Sequence, residues 1–168
     1  MTVEAKSIES VVTHWWGRLK ERPGDRADLR RAHTISDVIF CPAFHALKRA
    51  VVANVANGHQ VNLERLAAVA GVLAWVKKDS KVKDSKVKLG AELGRPLAGK
   101  ATLSGLRFRR LLQRTDADEL LIGFRRAVRH LGEEANVGEL ASTLIFWGDC
   151  RRRELAVDYY DAAPAAEA

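Results

Sequence analysis

An all-α fold follows from three observations. Apolar residues recur at helical offsets through most of the chain, cap residues and stop signals bracket those stretches, and no alternating strand pattern of any length competes with them. The 168 residues suffice for one domain, or for two small helical lobes, with a sizeable core.

Ile8, Val11, Val12, Trp15, Trp16 and Leu19 form one apolar stripe, so a first helix is expected there with Ser7 as its N-cap and Pro23-Gly24 as its end. Asp25 is placed to cap a short second helix, Arg26 to His33. The run Val38 to Phe40 fits helix or strand. Pro42, harmless in a first turn, opens a helix through Phe44, Leu47, Val51 and Val55 that Asn57-Gly58 stops. Asn62 caps the next, Leu63 to Val76. From Lys77 the periodicity collapses, and Asp79-Ser80-Lys81-Val82-Lys83 is repeated at once as Asp84-Ser85-Lys86-Val87-Lys88. Such a polar tandem unit is too short for a stacking repeat and reads as a solvated surface loop.

Gly90, Gly94, Pro96 and Gly99 mark a boundary, after which helices are expected over Leu103 to Gln113, Ala117 to Leu131 and Val137 to Tyr160. Asp116 with Glu119, and Asn136 with Glu139, have the spacing of capping boxes, and Gly132 closes the middle helix. The expected organisation is an N-terminal helical lobe over 1–95 with a basic loop at 77–89, a C-terminal helical bundle over 96–160 sharing a seam with it, and a flexible tail over 161–168.

Two cysteines, Cys41 and Cys150, and no signal-peptide pattern at the N-terminus point to the cytoplasm, and no apolar run reaches the length of a membrane span. No catalytic residue is named: Walker, dinucleotide-binding and Gly-x-Ser-x-Gly motifs are lacking, so an enzyme is not expected. No metal or other cofactor is expected either. Cys41 and His45 stand four apart without a second pair, and Cys41 reads as a buried thiol. His33 and His130 lie at helix ends, and Glu133-Glu134 and Asp116-Asp118 read as acids at helix termini.

A net charge of +7 calls for an anionic partner. Within 96–168 acids balance bases, yet the cations there are almost all arginine, in tight groups. Arginine offers a planar fork of donors that matches phosphate oxygens. Arg125, Arg126 and Arg129 form a stripe beside the apolar face of Leu120, Leu121, Phe124, Val128 and Leu131. Arg107, Arg110 and Arg114 project together, with Arg109 nearly opposite, and one of them is expected along the seam. On a continuous last helix Arg151 falls with Leu140, Leu144, Trp147 and Leu155, which assigns it to stacking on Trp147 or pairing an acid of another helix. Arg152 leaves that stripe and stays a nucleic-acid candidate, ahead of Arg153. Arg26, Arg30 and Arg31 complete the candidate set for phosphate. The rival reading is a protein-interaction scaffold whose arginines pair acids on neighbouring subunits.

The order Trp15-Trp16-x-x-Leu19, Gly24-Asp25-Arg26-Ala27-Asp28-Leu29-Arg30-Arg31-Ala32, Pro42-Ala43-Phe44, Arg107-Phe108-Arg109-Arg110-Leu111-Leu112, Phe124-Arg125-Arg126-Ala127-Val128, Trp147-Gly148, Arg151-Arg152-Arg153-Glu154-Leu155 and Tyr159-Tyr160 resembles the CasB family, the small subunit of the type I-E CRISPR surveillance complex Cascade. The resemblance implies a two-lobed, non-catalytic helical subunit present in two copies packed head to tail. It implies contacts with the guide RNA and target DNA, and with the large and backbone subunits, that stabilise the R-loop in antiviral defence. The positions it matches are Arg31, Arg107, Arg114, Arg125 and Arg126. After Trp147-Gly148, where the family places basic residues at once, this chain has Asp149 and Cys150.

Overall fold

The structure, a computed structural model, describes residues 5–82 and 86–167, with the side chain of Val82 outside that set. The all-α expectation holds. Helix α1 (Ile8–Leu19) is capped by Ser7, whose side chain accepts from the Ser10 amide, and it buries all six residues of the expected stripe. Its tryptophans also carry polar tips inward. Trp15 donates to the Ala43 carbonyl at 3.1 Å and Trp16 to the Val76 carbonyl at 3.2 Å, tying α1 to the first turn of the helix at Pro42 and to the segment after Leu73.

Helix α2 (Pro23–Arg31) begins earlier than expected because Pro23 occupies its first turn rather than ending α1. The undecided run at Val38 belongs to α3 (Ile35–Ile39), which a complete capping box of Thr34 and Asp37 nucleates. Helices α4 (Pro42–Asn54) and α5 (Leu63–Leu73) follow, the latter capped by Asn62. Every residue of α5 from Leu66 to Leu73 is buried, so α5 is the central rod, packed against α3, α8 (Ala117–His130) and α9 (Val137–Ile145).

A helix not foreseen, α6 (Leu89–Gly94), occupies the expected boundary. Gly90 and Gly94 are there for close approach, not for turning. A Cβ on Gly90 would stand 2.5 Å from the Leu155 carbonyl oxygen, and one on Gly94 2.3 Å from that of Tyr159. Both carbonyls belong to α10 (Asp149–Ala162), so the two helix backbones pack directly on each other.

The long helix expected over Val137 to Tyr160 is broken into α9 and α10 at Phe146-Trp147-Gly148. Trp147 leaves the helical path, meets Phe124 edge-to-face at 5.3 Å and donates its N–H to the Arg114 carbonyl at 2.7 Å. Glu139 likewise departs from expectation. Asn136 caps α9, but the Glu139 carboxylate accepts from the Leu89 amide at the start of α6 instead of closing the box.

Two short strand pairs complete the chain. β1 (Lys78–Asp79) runs parallel to β4 (Glu134–Ala135), and β2 (Pro96–Leu97) forms a hairpin with β3 (Lys100–Ala101) through Ala98 and Gly99, both at positive φ. The loop of the duplicated unit is therefore anchored at both ends. Asp79 accepts from the Val137 amide, and Asn136 donates to the carbonyl of buried Val87 at 3.1 Å. Lys83, Asp84 and Ser85 lie outside the described residues, and with them the middle of that loop.

One hydrophobic cluster runs from Ile8 to Tyr159 without interruption at residue 95, because α1 packs on α9 and α5 on both α8 and α9. The region expected as a tail starts as the last turn of α10. Glu167 then accepts from the Gly105 amide at 2.7 Å, capping α7 (Gly105–Leu112), whose own Ser104 makes no side-chain cap. Among the described residues no helix is long and apolar enough to cross a membrane.

Candidate nucleic-acid interface

Two helices carry the site, α7 and α8, and buried side-chain contacts with the rest of the molecule hold them in place. Helix α7 is fixed from α10 at both ends. Phe108 stacks on Tyr159 with ring centres 3.8 Å apart, the Tyr159 hydroxyl donates to the Leu103 carbonyl at 2.6 Å, and Arg152 donates to the Leu112 carbonyl at 3.1 Å. Burial pushes the Tyr159 hydroxyl up to about 12, so it keeps its proton and that donation throughout the physiological range. Arg152 also pairs with Asp149 of its own helix. The guanidinium expected to meet phosphate is thus a C-terminal cap for α7.

Helix α8 is fixed by Arg125. Its Nε donates to the Gly71 carbonyl at 3.0 Å, Nη1 to that of Ala32 and Nη2 to that of Leu29 at 2.8 Å. One fork thereby joins α8 to the last turn of α5 and the end of α2. Burial first, and Arg30 second, bring its ionisation down to about 10, which leaves it a cation near neutrality. The expectation that Arg125 faces phosphate is corrected: its head turns inward because three backbone carbonyls converge where α2 ends beside α5. Arg26 is used in the same way, donating to the carbonyls of Ala74 and Val76 at 2.8 and 2.9 Å just past α5.

Between α7 and α8 lies a cleft of about 350 Å³ into which Arg107, Arg110, Arg114, Arg126 and His130 project. The offsets explain it. Arg107 and Arg110 share one side of α7, Arg114 follows in the turn, and Gly123, Arg126, Ala127 and His130 share one side of α8. Gly123 leaves room for Arg114 to lie flat, since a Cβ there would sit 2.7 Å from its Cδ. No carboxylate lines this cleft, and among the described residues Arg107, Arg110, Arg126 and Arg129 pair with none. Arg126, Arg129 and His130 continue the basic surface into an adjoining depression.

His130 takes part in this field. Burial, then Arg107 and Arg129, hold its imidazole below the ordinary histidine range. It also borders a second cavity with Glu92, Arg95 and Glu134. An anion bound among the arginines reverses the local field and favours the imidazolium, so binding takes up a proton. Affinity for a nucleic acid is therefore expected to rise as pH falls through the bound-state value, and to level off below the free-state one. Titrating binding from pH 8.5 to 5.5 checks this, with an expected gain in affinity of up to roughly tenfold; the slope should vanish in His130→Gln.

Other candidates divide. Arg31 is exposed and bonds Asp28 at 2.6 Å, while Arg30 lies 4.4 Å over the Trp75 ring and 3.8 Å from Glu133. Arg151 pairs with Glu154 of its own helix at 3.2 Å rather than with another helix, since the break before Gly148 takes it off the line of Leu140 and Leu144. Cys41 and His45 do not converge: the thiol donates to the Asp37 carbonyl and the imidazole contacts that of Ile39. Burial pushes the Cys41 thiol up, though it is only half-buried. Among the described residues no three His, Cys, Asp or Glu side chains are grouped to hold a metal ion.

Sequence reasoning passes over His130, Trp75, Lys77 and Glu133 as members of a site. It gives Glu133 to helix-dipole stabilisation, but this acid follows the C-terminus of α8, the wrong end for a negative charge. Lys77 and Arg30 hold it there.

Residues 25–160 match the model of the CRISPR-associated protein Cse2 family. A chain in the crystal structure of E. coli Cascade bound to a PAM-containing double-stranded DNA target shares the fold, with a TM-score of 0.62 at 19% identity, over 96% of this chain and 97% of that one. No curated protein matches significantly.

Proposed function

Because the chain belongs to the CRISPR-associated Cse2 family, the CasB small subunit of type I-E Cascade, we propose that it serves in that complex as a non-catalytic holder of nucleic-acid backbone. The observation that carries this is the acid-free cleft of Arg107, Arg110, Arg114, Arg126 and His130. Arg107, Arg110 and Arg126, which pair with no acid among the described residues, leave their donors for phosphate oxygens, while Arg114 also donates to the Glu119 carbonyl at 3.2 Å; contact limited to the backbone is tolerant of sequence, as a subunit serving any guide must be. The nucleic acids are the guide RNA, the target DNA and the displaced strand, and holding them lengthens the life of the R-loop. The chain acts in two copies in the cytoplasm.

Contacts to the large and backbone subunits fall to other surfaces. Phe40, Leu97, Phe146 and Val157 are each more than half exposed, an arrangement suited to burial against protein neighbours. Reconstituting Cascade with and without this chain tests the assignment. With it, R-loops on a matched target should persist longer and resist salt better. Equal lifetimes in the two preparations would overturn the reading.

A further inference from the structure

The seam beside the cleft is crowded with like charge. Arg30, Arg125 and Arg129 stand 4.4, 5.9 and 6.0 Å from the Trp75 ring, and the Trp75 N–H is buried without an acceptor. Lys77 adds a cation from the segment between α5 and β1, and Arg26 another from α2. Among the described residues the carboxylate that pairs with these cations is Glu133, which meets both Lys77 and Arg30. Arg26 and Arg125 direct their donors to backbone carbonyls, so the cationic excess that a further anion can meet is carried by Arg30, Lys77 and Arg129.

Glu133 holds its place under constraint. It sits at φ 62, following Gly132 at φ 69, in a region that side chains other than glycine's rarely adopt. Its backbone already joins the seam, for the Glu133 carbonyl accepts from the Lys77 amide at 2.7 Å and β1 pairs with β4 beside it. The carboxylate is therefore not needed to close the fold. It lies where a phosphate oxygen would meet the same two cations. Arg129 belongs both to this cluster and to the basic surface that runs into the cleft.

We propose that Arg30, Lys77 and Arg129 around Trp75 form a second site for a nucleic-acid backbone phosphate, occupied in the free protein by the Glu133 carboxylate, which the nucleic acid displaces. The site extends the α7–α8 cleft and rests on the reading of that cleft as a phosphate track. Glu133 then weakens binding by the free subunit, and a strand already captured by a larger assembly, at high local concentration, overcomes it.

Anisotropy of a labelled poly(dT) strand, titrated with the full-length protein at several salt concentrations, tests this. Glu133→Gln should tighten binding about fivefold at low salt and steepen the dependence of log affinity on log salt by about one. The gain should disappear in Glu133→Gln with Lys77→Gln. Glu133→Gly, which also relieves the left-handed backbone, should tighten binding equally and serves if the glutamine variant melts early. Unchanged or weaker binding by a folded Glu133→Gln protein overturns the second site. If Arg107→Ala with Arg126→Ala weakens binding in that same experiment, the cleft still stands; if it does not, the cleft reading itself fails.

Discussion

Replacing Arg107 and Arg126 together by alanine is expected to weaken binding of the purified protein to a nucleic-acid strand by about 30-fold, with its melting temperature little changed. The two guanidiniums project into the cleft from opposite helices, both exposed and neither paired with an acid. At roughly 1 kcal/mol for each lost charge-assisted contact, two contacts correspond to that factor. The slope of log affinity against log salt should fall by about two, because two fewer counterions are released. Anisotropy titrations at several salt concentrations measure both quantities. Loss of affinity with an unchanged slope would mean that the arginines act on something other than phosphate.

Arg125→Ala should behave in the opposite way, with a large loss of stability as its first effect. Three carbonyls on two other helices lose their donor at once. At about 1 kcal/mol for each bond the cost is about 3 kcal/mol, or roughly 10 °C in melting temperature for a domain of this size. Arg125→Lys should recover only part of it, since an ammonium cannot reach three divergent acceptors as a fork does. Thermal unfolding followed by circular dichroism settles the matter. A variant that melts like the parent but fails to bind would return Arg125 to the phosphate track.

These two neighbours in sequence show where a one-dimensional reading stops. Helical periodicity and caps place α1, α4, α5 and α8 closely, because each buries a stripe whose spacing is visible in the chain. The same periodicity puts Arg125 and Arg126 side by side on α8, yet Arg125 turns to α2 and α5 while Arg126 lines the cleft. Periodicity cannot show that the end of α2 lies against that helix and presents bare carbonyls to Arg125 alone. Arg152 is misread for the same reason, its acceptor being the last turn of α7, 40 residues away. The break at Trp147 is hidden because the residues on either side keep a helical apolar pattern; only the tertiary bond to Arg114 reveals the turn. Gly90 and Gly94 look like punctuation, and their close packing on α10 depends on a partner that no local pattern identifies.

The fastened ends of the duplicated segment bear on how this protein tolerates change. Asp79 is held by the amide of Val137, and Val87 by the side chain of Asn136, so both stations lie at the start of one helix. Whatever is inserted between them alters the tether's length without moving either mooring. Doubling such a span costs only about 0.6 kcal/mol in closure entropy. A five-residue copying event could therefore be kept without any compensating change in the core. Related chains are free to carry one copy, two or none, and to acquire new charge at that spot independently of the cleft.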